Sequence, residues 1–254
     1  MLRLKQHRPP REIRCSADVL KWVGFVVLCL GSFSAAILQQ GMMSLDQYTS
    51  QTLYEALAND SGLFGLATAA SILTLLSALA LPIYAKLLWE GWKHTHDQGR
   101  YLLRLVVCAL VSEIPYDLVN SGKVLDLQHQ GPLWALVFAA VMLAVLRQLA
   151  AKRSAGWVLL KILVVVAACL WTVLLQSYLG VLTVLLVAVF CLLEKHRAAM
   201  VLVGVVLCTL QFPAPFSMFL IYWYDGKPGK TPRKLFYYLY PAQLLLFYCL
   251  GRVL

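Results

Sequence analysis

Two runs, Val19–Leu38 and Trp157–Leu175, carry one lysine apiece and otherwise almost nothing that water solvates. Runs of this length match the roughly 20 helical residues needed to cross a hydrocarbon layer about 30 Å thick. In lipid every backbone polar group must be satisfied inside the segment, so the runs read as helices. The chain is 61% apolar and only 13% charged, about half the charged content of a soluble domain, which excludes a water-soluble globule. The expectation is an all-α, polytopic transmembrane helical bundle with about eight or nine membrane segments. Residues 1–18 read as a basic cytoplasmic tail and 19–254 as one membrane domain. Val19–Leu38 is too long, and lacks a clean small-residue cleavage pattern, for a signal peptide.

Further spans are expected at Leu63–Trp89, Leu102–Val119, Pro132–Leu149 and Tyr178–Leu193. The C-terminal third divides into Ala198–Leu210, a stretch Gln211–Tyr224 interrupted by Pro213 and Pro215, and Leu235–Leu250. Basic residues near span ends resist translocation. With the N-terminus in the cytoplasm, 20 of the 22 Lys and Arg fall on that side, leaving Lys123 and Arg252 outside. This partition requires the proline-interrupted stretch to enter the membrane and return, either as a cavity wall or as a tight turn at the outer surface. The loop Gly41–Gly62 is read as extracytoplasmic.

The net charge of +10 is thus a matter of topology, and no nucleic-acid partner is implied. Seven cysteines, mostly within apolar runs, form no close pair, so neither a disulfide framework nor a metal site is expected. His94 and His96 lie two apart and point to different helix faces, a poor zinc spacing.

Ionisable groups inside spans are costly and are functional candidates. Lys86 and Glu90 are spaced to pair on one helix face, as an interfacial ion pair or as part of a site. Glu113 and Asp117 flank Pro115, four residues apart. On one face their mutual repulsion raises a proton affinity and suits acid/base chemistry, with Asp126 and His129 near in sequence. Alternatively, Pro115 ends the helix and exposes both carboxylates.

Tyr224-Asp225-Gly226-Lys227-Pro228-Gly229-Lys230 is a glycine-punctuated basic turn, followed by Phe236-Tyr237-Tyr238-Leu239-Tyr240-Pro241-Ala242-Gln243-Leu244. Upstream stand Leu81-Pro82-Ile83-Tyr84, Glu90-Gly91-Trp92-Lys93-His94-Thr95, Arg100-Tyr101-Leu102-Leu103-Arg104-Leu105, Ser112-Glu113-Ile114-Pro115-Tyr116-Asp117-Leu118 and Asp126-Leu127-Gln128-His129-Gln130. In order and spacing, over about Ala80–Gly251, these motifs resemble the TraX family. Its namesake is associated with N-terminal acetylation of conjugative pilin, and the family is related to integral-membrane acyltransferases. The resemblance implies a bacterial plasma-membrane protein using acetyl-CoA or another acyl-CoA as donor substrate, with no bound cofactor, and a pilin-like or other membrane-associated acceptor.

Two positions depart from the family pattern. The first span lacks the usual Asp-His pair, and the histidine of Tyr-Pro-x-His-Leu is Gln243 here. Two readings follow. In the enzymatic one, Glu113, Asp117 and His129 form the catalytic centre. Glu90, His94, Lys227, Lys230, Arg233, Tyr237, Tyr240 and Gln243 then contact donor or substrate. In the other, the chain is a non-catalytic TraX-like protein that binds lipid or a partner. Small-solute transport through a Pro213–Pro215 site is a third, less supported reading, because no internal repeat is present.

Overall fold

The computed structural model describes residues 15–126, 130–152, 154–177, 179–227, 229–232 and 235–253. Among them the chain is helical without a strand. The apolar runs become α1 (Ala17–Phe33), α3 (Ser61–Ser77), α4 (Ala80–Lys93), α5 (Gln98–Asn120), α6 (Pro132–Gln148), α7 (Ala155–Leu174), α8 (Gly180–Leu192), α9 (Arg197–Cys208), α10 (Ser217–Trp223) and α11 (Leu235–Val253). A π-helical stretch, Ser34–Met42, continues α1. Three continuous helical stretches, Ala17–Met42, Ser61–Lys93 and Ala155–Leu174, are long and apolar enough to cross a membrane.

The surface bears this composition out. On α7, Leu159, Leu163 and Leu170 are among the many large apolar side chains left exposed, a surface that lipid rather than water accommodates. The core lies where α4, α6, α8 and α10 meet, around the fully buried Phe190, Leu186, Met142 and Met218. Because lipid tails are as apolar as the helices, close backbone approach rather than hydrophobic segregation holds such a bundle. At Gly31 a β-carbon would lie 2.6 Å from that of Ser77, so only glycine lets α1 lie this close to the end of α3.

Three local features differ from what the sequence suggests. Within Gly41–Gly62 a further helix, α2 (Ser50–Asn59), forms with no buried residue. A reciprocal cap between Thr49 and Thr52 starts it, satisfying donors that the first helical turn leaves open. Pro115 does not end α5, which continues to Asn120 with the proline buried. A proline inside a helix costs about 3 kcal/mol, and the packing of α5 against α6 and α11 overrides that cost. Lys86 pairs with Glu90 as the spacing suggests, but it is 5% exposed and inside the bundle.

The proline-interrupted segment leaves α9 through short 3-10 turns at Thr209–Gln211 and Ala214–Phe216 before α10. With 12 and seven residues, α9 and α10 span only about 18 Å and 11 Å. Arg197, at the start of α9, donates from Nη2 to the carbonyl of Tyr224, just after α10. The segment therefore goes out and comes back as a hairpin.

Candidate functional site

A cavity of about 330 Å³ opens inside the bundle, at the lower end of the range for small-molecule sites. α1, α4, α5, α6, α8 and α11 and the turn following α10 enclose it. Its wall is mostly apolar, and polar groups converge on it from distant stretches of chain, among them Lys21, Glu90, His94, Tyr101, Tyr237 and Tyr240. Gly226 and Gly229 bring bare backbone to the same wall.

The second half of α4 and its C-cap, His94, build one polar corner. Lys86, Glu90 and His94 follow at four-residue spacing and stack on one face. Lys86 Nζ lies 2.8 Å from Glu90 Oε1, and His94 Nδ1 lies 3.6 Å from Glu90 Oε2. His94 Nδ1 also sits 2.9 Å from the carbonyl oxygen of Glu90. With the proton on Nδ1 donated to that carbonyl, Nε2 carries the free lone pair. Lys86 is held within the bundle against the rings of Phe190 and Tyr224, 5.7 and 5.9 Å away. Directly after His94 the chain turns into α5. There Asp97 caps the helix by accepting from the backbone N–H of Arg100 at 3.0 Å. That bond and the nearby Arg100 guanidinium hold the Asp97 carboxyl below its ordinary pKa. Gly91 permits the next contact, since a β-carbon there would meet the Tyr101 hydroxyl at 2.8 Å. Tyr101 in turn shares a hydrogen bond with Tyr237.

The basic turn closes over the start of α1. Cys15 N–H donates to the carbonyl of Trp223 at 3.0 Å, and Asp225 N–H donates to the carbonyl of Cys15 at 3.1 Å. The Asp18 carboxylate then accepts from Lys230 N–H at 2.5 Å and Thr231 N–H at 3.1 Å. Gly226 has φ +74°, a left-handed conformation that glycine adopts without steric cost. Lys227 and Lys230 are exposed on this turn. Arg233 lies outside the described residues.

The other nominated carboxylates are elsewhere. Glu113 Oε1 accepts from Gly131 N–H at 3.0 Å and Oε2 from Trp134 Nε1–H at 2.9 Å. The side chain thus ties α5 to the first turn of α6. Asp117 is 2% exposed. Its Oδ2 accepts from Asp126 N–H at 2.9 Å, while Oδ1 is buried without a partner among the described residues. Neither residue lines the cavity. His129 lies outside the described residues.

Of the nominated donor-contact residues, the structure brings Glu90, His94, Tyr237 and Tyr240 to the cavity wall, with Lys227 and Lys230 on the turn that borders it. Gln243 is buried one turn beyond Tyr240, where its amide oxygen accepts from the thiol of Cys29 and Nε2 has no partner among the described residues. Lys21, Tyr84, Tyr101 and Cys108 also line the cavity and were not nominated from the sequence. Tyr84 and Tyr101 belong to motifs read there, so their motif membership was the available signal. Lys21 looked like one more basic residue before a span.

Comparison with curated proteins and with solved structures yields no match. The family model described as TraX protein matches residues 16–251, nearly the whole chain and every motif that meets at the cavity. The chain belongs to the TraX family.

Proposed function

We propose that this protein takes an acyl-CoA, such as acetyl-CoA, into the α1–α4–α5–α11 cavity from the cytoplasmic side and passes the acyl group to an amine, such as the N-terminus of a membrane-associated protein. The observation that supports it is convergence: the Glu90–His94 motif, the glycine-basic turn and the Phe236–Tyr240 motif line one cavity. The basic residues at its mouth fit the cytoplasmic side by the positive-inside rule.

The residues suit the donor's chemistry. Lys21, Lys227 and Lys230 offer ammonium groups to phosphates, and the apolar wall and tyrosine hydroxyls accept an amide-bearing thioester arm. In the transfer, the amine nitrogen forms a bond to the acyl carbon as the carbon–sulfur bond breaks. The nitrogen loses one proton and the departing thiolate gains one. His94 Nε2 takes the proton from nitrogen, while Glu90 orients the imidazole and stabilises its cationic form. This assigns the base to the mouth of the cavity, away from Glu113 and Asp117.

The test is acetyl transfer from labelled acetyl-CoA to amine-bearing peptides by the purified protein. Removing a positioned base costs about 10²–10⁴-fold, so His94→Asn should lower transfer by that factor while donor binding persists. Glu90→Gln should lower it on the order of tenfold. Transfer indifferent to both substitutions overturns the assignment. A second reading, donor or partner binding without catalysis, is favoured by the Cys29–Gln243 contact. That neutral pair stands where the family places a histidine, and binding without transfer in the unaltered protein would select this reading.

A further inference from the structure

The α9–α10 hairpin leaves a groove on the bundle surface, lined by none of the residues that line the cavity, with a volume of about 330 Å³. Ala198, Val201, Leu202, Val205 and Val206 line it from α9, and Tyr222 lines it from α10. Their spacing of three and four places them along one helix face, a strip about 12 Å long. Leu202, Val206 and Tyr222 are exposed.

One end of this strip is cationic. Lys195, His196 and Arg197 are exposed where α9 begins. The Arg197 guanidinium lies 5.5 Å from the centre of the Tyr222 ring and donates to the Tyr224 carbonyl. That bond uses one of its five donors. The neighbouring carboxylates have cationic partners: Glu194 pairs with Lys93, and Asp225 lies 3.9 Å from Lys227 Nζ. A groove without charge thus ends at excess positive charge.

We infer that this groove binds one anionic glycerophospholipid, its acyl chain along the α9 strip and its phosphate against Lys195 and Arg197. Depth supports the choice. Half of a hydrocarbon layer is about 15 Å, so the strip spans most of one leaflet. Basic corners between membrane helices recognise anionic headgroups by the same electrostatics. The inference rests on the membrane character of the chain and is independent of acyl transfer.

The experiment is native mass spectrometry of the protein in detergent, titrated separately with phosphatidylglycerol and phosphatidylcholine of the same chain length. The expected result is one retained phosphatidylglycerol with at least about a tenfold preference, about 1.4 kcal/mol. Combined Lys195→Gln and Arg197→Gln should abolish that preference. Ala198→Trp, which fills the groove while leaving every charge in place, should reduce the number of lipids retained. Equal retention of both lipids by the unaltered protein overturns the inference. So does unchanged phosphatidylglycerol retention in the Ala198→Trp variant, or displacement of the lipid by inorganic phosphate at equal concentration.

Discussion

The thiol of Cys29 in α1 donates to the side-chain oxygen of Gln243 in α11 at 2.6 Å, joining residues 214 positions apart. The contact closes the bundle between its first and last helices with groups that carry no charge. Gln243 contributes little net stability, because its buried Nε2 has no partner among the described residues. An orphaned buried donor costs about as much as one hydrogen bond contributes. Gln243→Met should therefore unfold within about 1 kcal/mol of the unaltered protein in a denaturation assay. Gln243→His should not raise acyl transfer, because the base proposed here is His94. A gain of transfer in Gln243→His would return the base to the α1–α11 contact.

Glu113 separates a structural tie from a catalytic centre. Both of its oxygens accept hydrogen bonds, from Gly131 and Trp134. In Glu113→Gln the amide NH₂ would face one of those donors. The expected loss is about 1–3 kcal/mol of stability, read as a lower melting temperature, with acetyl-CoA binding and transfer retained in the folded fraction. Unchanged stability with transfer abolished would instead restore the sequence-based assignment of Glu113 as a catalytic group.

The turn over α1 depends on a fit without spare room. A β-carbon at Gly229 would overlap Asp18 Oδ1, the atom that accepts from Thr231 N–H. Gly229→Ala should release residues 224–232 from α1, raising hydrogen exchange there and weakening acyl-CoA binding together. Faster exchange with unchanged binding would remove the turn from the donor site.

The helices were legible in the sequence because apolar run length measures what lipid demands, and each expected segment falls on helix among the described residues, Leu63–Trp89 on two, α3 and α4. The Ser50–Asn59 helix was not, because it is short and polar and is marked only by the Thr49–Thr52 cap. Motif reading nominated Glu90, His94, Tyr237 and Tyr240, and these do share a cavity. Their juxtaposition was hidden, since it depends on α11 packing back against α5, a contact that run lengths do not encode. Lys21 stayed unrecognised for the same reason. Two carboxylates at Glu113 and Asp117 stand out as costly intramembrane groups, and the same physics marks a proton acceptor and a hydrogen-bonded tie alike, so the Glu113→Gln measurement decides between them.

Topology is testable with membrane-impermeant thiol labelling in a Cys249→Ser background. Lys227→Cys should be protected in intact cells and label after permeabilisation, whereas Tyr54→Cys should label without it. Labelling of both in intact cells would place the basic turn outside and remove its access to cytosolic acyl-CoA.

Saturable binding of labelled acetyl-CoA to the folded protein in detergent tests the central claim most directly. The cavity account predicts one site per chain, retained in His94→Asn and weakened roughly tenfold when Lys227 and Lys230 are both changed to glutamine, about 0.2–1 kcal/mol for each exposed charge. A monodisperse, folded protein that binds no acetyl-CoA, or binds it equally well without those lysines, would contradict the account.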